Sequence, residues 1–283
     1  MARFLWLLSL LVLITATAEA QGNLSELFSI LRTEGPTRTE SGRTRTAQIL
    51  DPYSTGKKSL DGEWDAINDA LNDSDPFVRD QACATLSLIV YMSSTPFYVA
   101  PVRPIRLPDL TREVVIQRFT ESKPSLRENA VRIIALMDGG PPSTLAPRLL
   151  QMARTESNGS VRRIVIAALA SIRMPAPEIT DFWMQTLNDL SNREWRGYVL
   201  SAFRLYAPAD PRVIALVIDA LRDTDYFVRQ EAIASVIKIG KPAVAALPLL
   251  SEIRDANVGT DERDQSMRRN AEAAIRILSD PNR

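Results

Sequence analysis

Apolar residues recur along most of this chain in a pattern that starts with an apolar residue followed by arginine. The pair occurs six times, as Val78-Arg79, Leu126-Arg127, Val161-Arg162, Trp195-Arg196, Val228-Arg229 and Met267-Arg268. The spacings between successive copies are 48, 35, 34, 33 and 39 residues. Internal similarity at a period of this size is typical of proteins built from stacked structural repeats.

Each copy continues with apolar residues at the same offsets when the apolar member of the pair is counted as position zero. Positions +4, +8 and +11 hold Ala82, Leu86 and Ile89; Ala130, Ile134 and Met137; Val165, Leu169 and Ile172; Val199, Phe203 and Tyr206; Ala232, Val236 and Ile239; and Ala271, Ile275 and Leu278. These offsets lie along one stripe of a helix with 3.6 residues per turn. The pattern therefore predicts six amphipathic helices.

A second apolar-periodic segment precedes most of these helices. Examples are Trp64, Ile67 and Leu71; Val114, Val115 and Phe119; Phe182, Trp183, Leu187 and Leu190; and Val213, Val217 and Leu221. Each unit is therefore predicted to be a helix, a turn and a second helix. A helix pair cannot bury its apolar stripe alone, so neighbouring pairs must stack. We expect an all-α fold, an α-solenoid or α-α superhelix of about six helix pairs.

Helix-capping residues agree with this register. Three residues before position zero stand Asp75, Asn158, Asn192, Asp225 and Asp264, which are preferred N-cap residues. The second copy has Lys123 at this position, but Pro124 then occupies the first helical position, as Pro76 does in the first copy. The second helices are therefore predicted to begin just before each apolar-arginine pair.

The segments Asp75-Pro76-Phe77-Val78-Arg79-x-x-Ala82 and Asp225-Tyr226-Phe227-Val228-Arg229-x-x-Ala232 resemble HEAT repeats, in particular the short subtype of bilin (PBS) lyase-like proteins. The resemblance covers about residues 60–280. It implies that the second helices line a concave surface. It also implies that the arginines of the pairs bridge adjacent repeats by pairing with turn carboxylates. On this interpretation Asp75 and Asp225 and six arginines are structural: Arg79, Arg127, Arg162, Arg196, Arg229 and Arg268.

The N-terminus has the pattern of a cleavable signal peptide. Arg3 precedes the apolar run Phe4–Ile14, and Ala18-Glu19-Ala20 supplies small residues at the −3 and −1 positions of a cleavage site. An uncleaved membrane anchor is the alternative, but this run is too short to span a bilayer comfortably. We expect cleavage after Ala20, a secreted or periplasmic protein, and no stable membrane span after cleavage.

Three regions follow from these patterns. Residues 1–20 are predicted to be the signal peptide, and residues 21–59 an N-terminal helix and a polar linker. Within the latter, Leu24–Leu31 favours a helix, and Thr33–Lys58 is rich in Thr, Arg, Gly and Ser, as a loop or linker would be. Residues 60–283 are predicted to form the HEAT-like repeat domain.

Composition excludes several kinds of chemistry. The chain has no histidine and one cysteine, which removes His-based acid/base catalysis, Ser-His and Cys-His nucleophiles, and most zinc sites. Lys+Arg and Asp+Glu balance at 34 each, whereas a nucleic-acid-binding protein normally carries a basic excess. We therefore predict no catalytic residue, no metal, no cofactor and no nucleic-acid partner.

The remaining chemically interesting side chains have ordinary structural interpretations. The carboxylate pairs Asp73/Asp75 and Asp223/Asp225 could act as acid and base, but they stand in equivalent turns, where one aspartate would cap the helix and the other would satisfy the turn. Cys83 is predicted to be a buried small apolar residue. The aromatic residues Trp183, Trp195 and Tyr206 have helical spacing and are expected in the core.

Position +2 of each copy offers candidate partner-binding residues, since it is predicted to lie opposite the apolar stripe. The candidates are Asp80, Glu128, Arg163, Gln230 and Arg269, with Gly197 in the fourth copy, and their order is acidic first and basic later. Position +6 is mostly small, with Ala84, Ala167, Ser201, Ala234 and Ala273. These residues favour a shallow bipolar groove, and ordinary solvated helix faces are the alternative.

The function predicted from the sequence is that of an exported, non-catalytic HEAT-repeat scaffold that binds a protein or peptide partner on its concave helical surface. The resemblance also allows a bilin-lyase-like enzyme or accessory protein, or a HEAT-like protein that binds nucleic-acid lesions. Export argues against both alternatives, and the neutral charge argues against the second.

Overall fold

The computed structural model describes residues 22–37, 39–94, 104–172, 177–204, 207–257 and 259–280. In these ranges it contains fourteen α-helices and no strand. The chain divides into two compact units, Met1–Pro141 and Pro142–Arg283. The predicted signal peptide lies outside the described ranges, and none of the helices within them is long and apolar enough to cross a membrane.

Unit 1 is a two-layer stack of helices. Its helices are α1 (Leu24–Glu34), α2 (Glu40–Ser54), α3 (Trp64–Leu71), α4 (Pro76–Ser94), α5 (Asp109–Gln117) and α6 (Pro124–Leu136). The first helices α3 and α5 pack against each other, as do the second helices α4 and α6. Helix α1 packs on α2, α3 and α4, so the N-terminal pair continues the stack.

Unit 2 repeats the same arrangement with four helix pairs. Its helices are α7 (Ala146–Thr155), α8 (Gly159–Ser171), α9 (Pro177–Asn188), α10 (Arg193–Phe203), α11 (Pro211–Asp219), α12 (Tyr226–Ile239), α13 (Leu247–Ala256) and α14 (Glu262–Leu278). The second helices α8, α10, α12 and α14 each pack on the next, and the first helices α7, α9 and α11 do likewise. The prediction of an all-α solenoid of about six helix pairs is confirmed: unit 1 contains α3/α4 and α5/α6, and unit 2 contains the four pairs α7/α8 to α13/α14.

The predicted apolar stripe is the core of both units. All six residues at position +4 are buried, and position zero is buried in every copy except the fourth, where Trp195 is half-buried. Ile239 and Ile275 are half-buried, and Tyr206 lies outside the described ranges. Burial of large aliphatic side chains contributes about 1.5–3 kcal/mol each relative to exposure. The stripe therefore supplies much of the energy that holds successive repeats together.

The first helices also bury their predicted apolar residues, with one error. Leu190 was predicted to continue the periodic pattern of α9, but α9 ends at Asn188 and the Leu190 side chain is 75% exposed. Leu190 and Ser191 form the turn before α10. The backbone N–H of Ser191 donates to Oδ1 of Asp189 at 3.1 Å, so the local polar turn ends the helix despite the apolar side chain.

Side-chain caps begin the second helices at most of the predicted residues. Asn158, Asn192 and Asp225 accept hydrogen bonds from backbone N–H groups in the first turns of α8, α10 and α12. The prediction for Asp264 is wrong. Asp261 caps α14, and its Oδ1 accepts from the backbone N–H groups of Arg263 and Asp264 at 2.9 and 3.0 Å. Since Glu262 and Arg263 are good helix formers, α14 extends to the earlier cap.

The predicted loop or linker at Thr33–Lys58 is also wrong over most of its length, because Glu40–Ser54 forms helix α2. Its sequence is mostly polar, but Gly42, Ile49 and Tyr53 lie on one face of the helix and are buried. Helix α2 packs on α1 and α4, and these tertiary contacts outweigh the weak helix propensity of the segment. The helix predicted at Leu24–Leu31 is confirmed as α1, and the domain boundary at residue 60 stays a prediction.

Candidate functional site

The arginine at position +1 closes the turn of its own repeat. Arg79 Nη1 donates to the carbonyl oxygens of Asp73 and Ser74 at 2.8 and 3.0 Å. The same contacts recur from Arg127 to the carbonyls of Glu121 and Ser122, from Arg229 to those of Asp223 and Thr224, and from Arg162 to that of Glu156. A charged donor thus satisfies the backbone acceptors of the turn in four copies.

Some of these arginines also reach the next repeat. Arg79 Nε lies 3.1 Å from Oε1 of Glu121, and Arg196 forms an ion pair with Asp223. Both carboxylates stand in the turn of the following repeat, which is the bridging that the HEAT resemblance implies. Arg268 differs, since it donates to Glu272 on its own helix. The position +1 arginines are therefore engaged within the fold and are not an open anion-binding ladder.

The turn carboxylates are likewise occupied by structural bonds. Asp75 Oδ1 accepts the backbone N–H of Phe77, and Asp73 Oδ1 accepts that of Asp75, at 2.8 and 2.9 Å. Asp223 and Asp225 repeat this geometry in unit 2. The bond from Arg32 is the main cause that holds the pKa of Asp73 below its ordinary value. Among the described residues, no group of three Cys, Asp or Glu side chains is placed to hold a metal ion.

Position +2 contacts position −1 of the following repeat at three joints. Asp80 accepts from Lys123 Nζ and Ser125 Oγ at 2.6 and 2.8 Å, and it is only 5% exposed. Gln230 Nε2 donates to Ser266 Oγ at 3.3 Å. The expected open-face position of Asp80 is therefore wrong, because the close packing of α4 on α6 brings position +2 into the joint between these helices.

The joint between α10 and α12 explains why the fourth copy departs from the repeat pattern. Gly197 occupies position +2, and the ring of Phe227, at position −1 of the next copy, lies over it. A Cβ atom on Gly197 would stand 2.8 Å from Cδ1 of Phe227 and closer still to Cε1. Any larger residue would force the partly exposed Phe227 ring to shift, a contact that the sequence pattern alone did not indicate.

The remaining candidate residues differ in their availability. Glu128 forms an ion pair with Arg132, one turn away on α6, and is half-buried. Arg163 and Arg269 are exposed, and neither forms an ion pair with a residue that the structure describes. Of the five candidates, these two arginines are the ones whose charged groups are open to a partner.

Unit 2 presents an open surface on its second helices, which we call the second-helix face. It consists of the described residues at positions +3, +6, +9 and +10 of α8, α10, α12 and α14 or just beyond their ends, together with position +2 of α8 and α14. Its floor is formed by small side chains at position +6, namely Ala167, Ser201, Ala234 and Ala273. Half-buried Ile164, Ile237 and Ile277 flank the floor, and exposed cations surround it: Arg163, Arg204, Lys238, Arg269 and Arg276.

Glu231 is the one carboxylate at the described positions of this face. It lies 3.7 Å from Arg204 Nη1, and its Oε2 is a buried atom without a hydrogen-bond partner among the described residues. Burial is the main cause that raises its pKa, opposed by Arg204 and Ser201. The carboxylate is turned into the joint between α10 and α12, so it leaves the outward cations largely uncompensated.

The aromatic residues of unit 2 divide between the core and the surface. Trp183 is buried, and its ring meets that of Phe203 edge-on at 5.4 Å between centroids, as expected for a core residue. Trp195 is half-buried, with the Arg162 guanidinium 4.4 Å from its ring centroid. Tyr198 lies on the second-helix face, where its hydroxyl donates to Glu194.

Cys83 has the environment of an inert core thiol. It is fully buried, and its Sγ lies 3.7 Å from the carbonyl oxygen of Leu126. Burial raises the pKa of the thiol well above its ordinary value. Because the thiolate is the reactive form, this residue is not a candidate nucleophile in the folded chain.

A buried polar cluster, which sequence reasoning missed, holds the start of α1. Glu63 accepts the backbone N–H of Leu24 at 3.0 Å through Oε2 and the hydroxyl of Tyr53 through Oε1. Lys58 Nζ lies 3.6 Å from the same carboxylate and donates to the carbonyl of Gly22 at 2.9 Å. We call Glu63, its three partners Leu24, Tyr53 and Lys58, and the Gly22 carbonyl that binds Lys58 the N-terminal clamp. Only the fold brings residues 22–24, 53, 58 and 63 together.

No family model matches this chain, and no curated protein matches it. Among solved structures, a designed armadillo repeat protein in complex with the peptide (KR)4 is 14% identical, with 90% of this chain and 99% of that chain covered and a TM-score of 0.41. Two engineered proteins from a structural genomics consortium are each 17% identical, with 90% of this chain covered. They are covered over 96% and 98% of their own lengths, at TM-scores of 0.40 and 0.39. The stacked helix pairs of this chain themselves establish an all-α repeat fold.

Proposed function

We propose that this chain is an exported, non-catalytic scaffold that binds a protein or peptide partner on the second-helix face of unit 2. The observation that carries the proposal is the combination of small, aliphatic and unpaired basic side chains on that one face. Repeat proteins commonly use such extended helical surfaces for binding.

The small residues at position +6 support the approach of another polypeptide. Side chains such as Ala167, Ala234 and Ala273 leave the helix backbones close to the surface, so a partner chain can lie in the shallow depression above them. Ile164, Ile237 and Ile277 retain partly exposed apolar area beside it. Burying this area supplies affinity, while the surrounding polar groups supply orientation.

The bonds of the chemically capable side chains support a non-catalytic role. Asp73, Asp75, Asp223 and Asp225 are committed to caps and turns, and Cys83 is buried with a raised pKa. A general acid or base needs a free proton-transferring atom beside its substrate. These groups instead form hydrogen bonds that stabilise the fold.

Site-specific photocrosslinking tests the binding face. A photoreactive amino acid at Ala170 or Asn270, both on the second-helix face, is expected to yield one defined crosslinked species in the native compartment. The same amino acid at Ala215 or Glu252, which are exposed on first helices, is the matched control and is expected to yield none. Equal crosslinking from both pairs, or crosslinking from the first helices alone, would contradict the proposed face.

Export belongs to the same proposal and rests on the signal-peptide pattern of residues 1–20. A reporter enzyme that is active only outside the cytoplasm, fused after residue 25, is expected to be active. Replacement of Ala18 and Ala20 by bulky residues should preserve targeting but leave the segment uncleaved. A fully cytoplasmic fusion would refute export without affecting the crosslinking result.

A further inference from the structure

We propose that the second-helix face of unit 2 selects an extended acidic polypeptide segment. This inference rests on the proposed function and adds the chemical class of the partner. Its central residues are Arg163 and Arg269, with Lys238 and Arg276 as supporting cations. The neutral charge of the whole chain does not contradict it, because binding depends on the local distribution of charge.

Neither Arg163 nor Arg269 closes a turn or joins two repeats, although Arg163 lies within electrostatic range of Tyr198, whose hydroxyl binds Glu194. The neighbouring arginines of the apolar-arginine pairs are bonded within the fold. Arg162 binds a turn carbonyl, and Arg268 binds a carboxylate on its own helix. Arg163 and Arg269 instead remain exposed, without an ion pair to any described residue. A helix dipole does not explain them either, since they lie outside the last turns of α8 and α14, where cations are stabilised.

Lys238 and Arg276 have a partial structural explanation. Each stands in the last turn of its helix, α12 or α14, where the dipole favours a cation. Their side chains are nevertheless exposed on the same face as Arg163 and Arg269. We therefore assign them a supporting role, which strengthens the positive potential without defining the site.

The distance between the two central arginines fits an extended chain. They lie on α8 and α14, separated by α10 and α12, and neighbouring packed helices are about 8–10 Å apart. The span is therefore on the order of 25–30 Å. An extended polypeptide advances about 3.3 Å per residue, so roughly eight or nine residues separate the partner's two acidic positions.

The side chains between the cations favour a polypeptide over a nucleic acid. Ile164, Ile237 and Ile277 offer aliphatic contacts that suit apolar amino-acid side chains. A single-stranded nucleic acid is usually held by stacking on several aromatic rings together with a dense row of cations. Here the described aromatic groups are Tyr198, whose hydroxyl is already bonded to Glu194, and the exposed ring of Phe227 over neighbouring Gly197, which are too few for a row of stacked bases.

The second helices of unit 1 lack this potential. Position +2 carries Asp80, which pairs with Lys123, and Glu128, which pairs with Arg132. Each acidic group is matched by a cation within the unit. The expected preference for an acidic partner is therefore a property of unit 2, where the outward arginines have no such match.

Peptide binding to the full mature chain tests the inference. Three fluorescent peptides about twelve residues long share one scaffold of Leu, Ser and Gly and carry two acidic, two neutral or two basic residues about eight positions apart. The acidic peptide is expected to bind about tenfold more tightly than the others at low salt, with an affinity that falls as salt rises. A single-stranded DNA oligonucleotide is measured beside them.

Two double variants locate the effect. Arg163→Glu/Arg269→Glu should weaken binding of the acidic peptide about tenfold or more. Arg154→Glu/Arg222→Glu makes the same change in net charge away from the second-helix face. Arg154 is exposed on first helix α7, and Arg222 is exposed just after first helix α11. This double variant should change binding less than about twofold. Thermal unfolding of both variants, and the milder Arg163→Gln/Arg269→Gln, separates loss of binding from loss of folding.

The inference is overturned if the neutral or basic peptide binds as tightly as the acidic one, or if the two double variants weaken binding equally. It is also overturned if no acidic peptide binds, or if the DNA binds more tightly with the same dependence on Arg163 and Arg269. None of these results removes the proposed scaffold function, which the crosslinking pattern decides separately.

Discussion

The joints between repeats show how single residues adapt the common pattern. In three described joints, position +2 contacts position −1 of the next copy. The contact joins a carboxylate and a hydroxyl in the first, a glycine and an aromatic ring in the second, and an amide and a hydroxyl in the third. The sequence predicted the buried stripe because apolar periodicity is a local property. It could not predict these pairs, because their partners are about 30 to 45 residues apart and differ at every joint.

Gly197 provides a test of this interpretation at the residue scale. Alanine normally stabilises a helix interior by about 1 kcal/mol relative to glycine. At position 197, however, the added Cβ would collide with the ring of Phe227. We expect Gly197→Ala to lower the free energy of unfolding by about 1 kcal/mol, as measured by chemical denaturation.

A double-mutant cycle provides the control for this substitution. In a Phe227→Ala background the ring is absent, so Gly197→Ala should raise the free energy of unfolding by about 1 kcal/mol. The sign of the effect therefore reverses between the two backgrounds. An effect of the same sign and size in both would show that the ring does not determine the residue at position 197.

Among the elements, the second helices were predictable and helix α2 was not. The second helices repeat one apolar stripe six times, and their caps are ordinary Asp and Asn residues. Helix α2 has a mostly polar sequence with Pro52 near its end, and only Gly42, Ile49, Tyr53 and Ser54 are buried. Its helical state depends on packing against α1 and α4, which no local pattern records.

The N-terminal clamp leads to a prediction at the scale of this element pair. Glu63→Gln keeps the size of the side chain but removes the charge that accepts from Leu24 and Tyr53 and faces Lys58. We expect a loss of about 1–2 kcal/mol of stability. Amide hydrogen exchange should accelerate in α1, at Leu27, Phe28 and Leu31, and remain unchanged in unit 2.

Glu26→Gln is the matched control for the clamp. Glu26 belongs to the same helix pair and binds Arg45 at 2.7 Å, but these side chains are 39% and 35% exposed, whereas the Glu63 side chain is 10% exposed. Exposed ion pairs contribute only about 0–1 kcal/mol, so exchange in α1 should change little. If Glu63→Gln and Glu26→Gln have equal effects on α1, the buried carboxylate does not anchor this element.

At the scale of the whole molecule, the neutral net charge gave no indication of the basic candidate site. Positive and negative side chains balance over the chain, which disfavours a general polyanion-binding protein. Several acidic side chains are bound in turns and joints, whereas Arg163 and Arg269, without an ion pair to a described residue, remain exposed on the second-helix face of unit 2. The acidic-to-basic order at position +2 was a partial signal of this, although Asp80 proved to be buried.

The most direct test of a partner-binding second-helix face is methyl NMR of the mature chain labelled at isoleucine and titrated with the acidic peptide. Ile164, Ile237 and Ile277 report on the face, and Ile218 and Ile253, half-buried on first helices, report on the opposite layer. Saturable shifts of the first three methyl groups, without shifts of the other two, are the predicted result. Shifts confined to Ile218 and Ile253, or an unchanged spectrum, would contradict it.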